Sequence, residues 1–205
     1  MLPACNLEQM MTHCHELEAL TDIWTGDVET AKTKTAKRLI PTGILGSIRW
    51  WFDVLVRGLG GTACDPAEDR KSCQGHEHCI VCELFGCTGW ARKFRFDVRD
   101  TNDAIVQTKL TKGTVFRLRF TPLRSLRDEE WMLLELTLRL IADFGALGGK
   151  TVLKPSDENT KTQHADFGLV RWCGSNMSEQ SREKLVAYVR SISTTAENFS
   201  KRRGS

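Results

Sequence analysis

An α+β fold is predicted by three observations: an amphipathic stretch opening at a Pro-Thr-Gly signal, short segments where apolar and charged residues alternate, and a second amphipathic stretch starting on acidic residues. Taken in order, His13 to Trp24 alternates loosely through Leu17, Ala19 and Ile23, which predicts an opening strand. A polar loop with Lys32, Lys34, Lys37 and Arg38 but no apolar period runs to Pro41-Thr42-Gly43, a helix-start signal. From there Ile44, Leu45, Ile48, Trp51, Phe52, Leu55, Val56 and Leu59 form the stripe of a helix that faces a core, and Gly58, Gly60 and Gly61 end it. A cysteine-rich insertion fills about residues 60–92.

Strand character returns in FRFDV from Phe94, IVQTKL from Ile105 and TVFRLRF from Thr114, where Phe116, Leu118 and Phe120 alternate with Arg117 and Arg119. Ser125 ahead of Asp128, Glu129 and Glu130 reads as the cap of a helix through Trp131, Leu134, Leu138 and Ile141, stopping at Gly145. DFGLVRW is a further strand, and Leu185, Val189 and Ile192 keep helical spacing in a C-terminal helix at about residues 178–199. Strand, helix, insertion, strands, helix, strand is the order of a ferredoxin-like (RNA-recognition-type) module: an antiparallel sheet with two covering helices and an insertion. The 205 residues form one such domain in this reading.

Composition limits function. With 27% charged residues and a net charge of only +3, the chain is no polycation, so any nucleic-acid surface must be local. The longest apolar stretch, Ile44 to Leu59, is interrupted by Arg49, Asp53 and Arg57 and is too short to span a bilayer. MLPACNLEQMMTHC has no basic region followed by an apolar run, so the expectation is a cytoplasmic protein that meets no membrane.

Five of the eight cysteines, Cys64, Cys73, Cys79, Cys82 and Cys87, share the insertion with His76 and His78. In a reducing compartment such a cluster argues for metal thiolates over disulfides. Cys64-x8-Cys73-x5-Cys79-x2-Cys82 gives the chelating Cys-x2-Cys turn of a closed, structural zinc site, with His76, His78 or Cys87 as possible replacements for one ligand. Small thiols packed under a loop are the alternative, but residues 62–80 have almost no apolar side chains to bury.

PTGILGSIR sets Gly43, Gly46 and Ser47 at a helix start, where unpaired N–H groups and the dipole attract an anion; Arg49 lies one turn on, and Lys37 and Arg38 lie just before. A phosphate is the natural guest, and a solvated helix start is the plain alternative. GALGGKT is not a nucleotide-binding P-loop, because Phe144 stands where its first glycine belongs and the segment follows a helix. Among the tryptophans, Trp90 beside Arg92 and Lys93 is the best candidate for stacking on a base.

Three stretches, IWTGD at Ile23, RLIPTGILGSIRWWFDVLVRGLGG at Arg38 and CIVCELFGCTGWARKFRF at Cys79, resemble the RAMP superfamily, and within it the first subunits of Cmr-type (type III-B) CRISPR effectors. FGALGGKT from Phe144 is similar to the glycine-rich loop that closes a RAMP domain. The resemblance runs from about Leu20 to Thr151. It implies a ferredoxin-like core, assembly with other RAMP subunits, and contact with guide RNA and single-stranded target RNA in antiviral defence. It also implies that Gly145, Gly148 and Gly149 let the backbone approach RNA, with Lys150 as a phosphate partner. Those subunits usually hold two ferredoxin-like modules, and this chain has room for one.

Two other readings remain open at this level. Related RAMP subunits cut target RNA with a loop aspartate, which makes Asp27 the candidate for an endoribonuclease, although no placed histidine or second carboxylate accompanies it. A zinc-stabilised scaffold that touches only proteins is the other. The resembled subunit is a binder, so a non-catalytic role is the expectation.

Overall fold

Alternation sorts the strand residues onto two faces of a four-stranded antiparallel sheet in the computed structural model, which describes residues 12–26, 38–64, 73, 78–148, 167–174 and 183–192. The strands are β1 His13–Ala19, β2 Phe94–Arg99, β3 Val115–Pro122 and β4 Val170–Trp172. Their order across the sheet is β2-β3-β1-β4, and every neighbouring pair is antiparallel. Helices α1 Pro41–Gly58 and α2 Ile80–Phe85 lie between β1 and β2, and α3 Asp128–Phe144 lies between β3 and β4. A helix over 183–192, α4, follows. This is the ferredoxin-like order with one added short helix.

Register explains the two faces. Leu17 stands opposite Phe116, His15 opposite Leu118, and Phe96 opposite Phe120, so their side chains share the face that the helices cover. Onto it α1 packs Ile44, Ile48, Phe52 and Val56, and α3 packs Leu133, Leu134, Leu138 and Ile141. Edge-on aromatic contacts run from Phe52 to Phe85, Phe85 to Phe94 and Phe94 to Phe120 at 5.3, 5.5 and 5.1 Å, tying α1, α2, β2 and β3 together. The other face is charged, and its arginines pair across strands: Arg117 with Glu16 at 3.0 Å and Arg171 with Glu18 at 3.2 Å. No helix among the described residues is long and apolar enough to cross a membrane.

Three sequence expectations change. IVQTKL forms no strand: Ile105 meets the edge strand β2 at the single point Arg99, and Thr108 bridges to Arg38 outside the sheet, so no ladder forms. The cap of α3 is Arg127, not Ser125; the Glu130 carboxylate accepts the Arg127 N–H at 2.9 Å. The segment from Cys79 to Phe85 is also no outlying insertion, since Ile80, Val81, Leu84 and Phe85 are buried in the main core.

His15 carries a consequence for stability. Its ring lies between Trp172 at 5.4 Å and Phe120 at 6.0 Å, and its Nε2 is buried with no hydrogen-bond partner among the described residues. Burial, helped by the neighbouring His13, pushes its pKa down to about 4. The unfolded chain takes up this proton near pH 6.5 and the folded chain does not, so stability from this group is full above pH 6.5 and is lost as pH falls toward 4. Thermal melts across that window should show a loss of about 2 kcal/mol after allowance for the ring's partial exposure. The loss should shrink in His15→Leu; an unchanged pH dependence in the variant would assign the effect elsewhere.

Candidate metal centre and nucleic-acid interface

The Cys-x2-Cys spacing works locally. Cys79 is the N-cap of α2 and Cys82 lies in its first turn, so the two sulfurs share one side of the helix. The chain leaving α1 brings Cys64 to them, and Cys73 completes the group: the four Sγ atoms lie within 4.8 Å of one another. Cys64 Sγ is 3.4 Å from Cys82 Sγ. Backbone N–H groups point at the sulfurs, Cys79 N donating to Cys73 Sγ at 3.2 Å and Cys64 N to Cys79 Sγ at 3.5 Å.

Chemistry favours a cation in this position. Hydrogen bonds from Cys73 hold the Cys64 thiol down at about 7, and those from Cys64 hold Cys79 below its ordinary range, whereas sharing with Cys64 pushes Cys73 and Cys82 up. Cys73 and Cys82 keep protons that a divalent ion would displace. A divalent ion bound by all four thiolates carries two net negative charges, and Arg49 supplies a counter-charge: it donates to Cys82 Sγ at 3.3 Å and to the Gly86 carbonyl at 2.7 Å. The donor set therefore fits a tetrahedral thiolate metal. His78 is engaged with Glu83 and packs on Trp90 at 4.5 Å, and Cys87 Sγ points to the Thr88 carbonyl at 3.8 Å, so neither joins the four. His76 lies outside the described residues.

The predicted phosphate-binding residues divide. The α1 start and the loop after α3 meet at one end of the sheet. A Cβ on Gly43 would stand 2.5 Å from the Thr25 carbonyl oxygen, and one on Gly148, where φ is +107°, would stand 2.4 Å from that of Trp24. The Ala146 carbonyl accepts from Ser47 Oγ at 3.3 Å and from Trp51 Nε1 at 3.1 Å. Gly145 leaves room for the Trp51 ring, 2.5 Å from where its Cβ would be. Gly46 faces open space, and Arg38 is exposed and bridged to Thr108. Lys37, Gly149, Lys150 and Asp27 lie outside the described residues.

Three predicted contacts have other company. Arg49 is turned to the cysteine cluster, as above. Lys93 is buried, its Nζ between Glu83 at 2.5 Å and Glu130 at 2.8 Å. Trp90 is covered by the Arg124 guanidinium, 4.3 Å from its ring centre, and by His78. Its neighbour Arg92 stays partly exposed. Sequence reasoning missed Asp22, whose carboxylate accepts from Lys109 Nζ at 2.8 Å and from the Lys112 N–H at 2.9 Å; the Lys109 bond holds its pKa low. In the sequence it is only an aspartate beside IWTGD, and Lys112 lies 90 residues away.

Residues 16–153, more than half of the chain, match the profile of the RAMP superfamily. Among solved structures, the chain is similar to that of Cmr1 from Pyrococcus furiosus in its apo form, with 16% identity and a TM-score of 0.44. That match covers 72% of this chain and 51% of the other, so the chain spans about half the length of that relative. A comparison with curated proteins gives no match.

Proposed function

The chain belongs to the RAMP superfamily, and from that membership we propose that it is a non-catalytic, RNA-binding subunit of a type III CRISPR ribonucleoprotein effector. In this reading it works in the cytoplasm beside other RAMP subunits and contacts guide RNA and single-stranded target RNA. One observation carries the proposal. Two glycine-bearing bends about a hundred residues apart, at Gly43 and at Gly145 to Gly148, close on the same backbone at Trp24 and Thr25. At Gly43 and Gly148 the missing side chains make room for the chain's own backbone, and this packing leaves the open Gly46 at the start of α1 and the exposed Arg38 as the surface for a sugar-phosphate chain.

A structural zinc ion held by Cys64, Cys73, Cys79 and Cys82 is part of the proposal. Bound there, it would supply cross-linking and no open coordination position. The chain's own residues do the rest: Cys79 and Cys82 fix the centre to the core through α2, and Arg49 joins it to α1. The glycine bends and the zinc centre thus flank the same helix.

Binding of a single-stranded RNA to the metal-loaded chain, followed by fluorescence anisotropy from about 50 to 200 mM salt, tests the reading. Affinity should fall steeply with salt, with a slope of about −0.7 per phosphate contacted, and Arg38→Ala should remove about one such contact. Absence of binding at low salt would favour a scaffold that touches only proteins. Cleavage of the RNA would favour the endoribonuclease.

A further inference from the structure

A helix as short as α4, residues 183–192, is marginal by itself and draws its order from what it lies against. Leu185, Tyr188 and Val189 are 3, 8 and 0% exposed, an i, i+3, i+4 stripe turned into the core. Two of these three bear on the chain segments that carry the cysteines. The first segment leaves α1 and runs to Cys64. A Cβ on Gly61, three residues ahead of that cysteine, would stand 2.3 Å from Val189 Cγ1 and 2.9 Å from Val56 Cγ1, so only glycine fits beneath α4. Gly60, with φ at +83°, lies beside the Arg190 guanidinium, whose Nε is 3.4 Å from where its Cβ would be. Arg57 closes the same bend by donating to the Ala63 carbonyl at 2.8 Å.

The second segment is α2, with Cys79 as its cap and Glu83 directly after Cys82. From Glu83 a buried relay reaches α4: Lys93 Nζ lies 2.5 Å from Glu83 and 2.8 Å from Glu130, and Glu130 is hydrogen-bonded to the Tyr188 hydroxyl. A polar network that is satisfied and shut from water is stiff, so a displacement of α2 is carried to Tyr188.

The two supports of α4 meet at the sulfurs. Cys64 ends the first and Cys79 and Cys82 open the second, and all of them belong to the group within 4.8 Å. A cation held there would cross-link the supports and fix each against the other.

We propose that α4 is a metal-dependent latch: occupancy of the four cysteines holds it down on Gly61 and Glu130, and loss of the metal releases it while the sheet stays folded. The inference rests on the metal reading above and adds the element that the metal controls. Tyr188 and Val189 become positioning residues for a centre to which they supply no ligand atom. Such coupling is reciprocal, so the factor by which metal suppresses the opening of α4 equals the factor by which docked α4 tightens the metal.

Two measurements on the full chain test this. Hydrogen exchange of zinc-loaded and chelator-treated protein should show exchange in residues 183–192 rising by about 5- to 150-fold on metal removal, with β3 still protected. Zinc Kd, from competition with a chromophoric chelator, should weaken by at least about 5-fold in Val189→Ala and in Tyr188→Phe. Val170→Ala, an equal truncation at a buried residue of β4 that pairs with Ala19, should leave it unchanged. Cobalt(II) in place of zinc should give one absorption spectrum in all of these variants, because the four sulfurs are intact. If the wild type holds zinc but both α4 variants match its Kd, or Val170→Ala weakens binding as much as they do, the latch fails and the metal reading stands. Exchange in α4 that ignores the metal, or that rises together with exchange in β3, also overturns it. A wild type that takes up no zinc removes both.

Discussion

Cys79→Ser is expected to strip the metal from the chain and lower Tm by more than about 10 °C. The residue is 4% exposed, caps α2, accepts the Cys64 N–H and anchors the segment whose Phe85 links the aromatic contacts of the core. Structural zinc contributes about 10 to 16 kcal/mol in small peptides, and each kcal/mol lost shifts Tm by about 2 to 4 °C in a chain of this size. Even half of that contribution exceeds ordinary single-residue effects. Metal content by mass spectrometry and a melt with and without chelator read the result. Cys14→Ser and Cys173→Ser, at exposed thiols outside the cluster, should change neither. Wild-type protein without stoichiometric metal, melting as Cys79→Ser does, would reduce the four cysteines to packing.

Lys93→Met should cost about 3 to 5 kcal/mol, because it leaves two carboxylates facing each other without their cation. Glu130 is 1% exposed and Lys93 8%, so water cannot take over the lost pairing. Glu130 also accepts the Arg127 N–H at the start of α3, and its charge, after burial, pushes the Tyr188 hydroxyl on α4 well above its usual range. The ion group therefore joins α2, the residue that leads into β2, α3 and α4. Denaturant melts of Lys93→Met and of the triple variant Lys93→Met, Glu83→Gln, Glu130→Gln decide the matter: the triple should recover part of the loss, since removing all the charges is far less harmful than removing one. A single variant as stable as the wild type would show the pair to be loose. The sequence assigned Lys93 to RNA because it sits in a basic run; its partner lies 37 residues away.

Local signals and long-range outcomes separate along these lines. Helical stripes in α1 and α3 and the alternation of β2 and β3 were legible, because a 3.6 or 2.0 period reports which side of an element meets the core. IVQTKL has the composition of a strand and is none, since strand identity needs a ladder partner that composition does not reveal. The cap at Arg127 was missed for a related reason: the cap is set by where the helix starts, and Glu130 reaches back to the backbone whichever residue stands there.

The sequence by itself determined the α+β class, the core-facing stripes, the cysteine quartet and the glycine bends. All of these rest on spacing within one element or one turn, where covalent geometry fixes neighbours. Tertiary structure alone decided that the bends at Gly43 and Gly148 meet over Trp24 and Thr25, that Arg49 serves the sulfurs, that Lys93 is sealed in the core, and that Gly168, Lys109 and Lys112 gather around Asp22. A side chain's partner across the fold is set by packing and strand order, which no local period encodes.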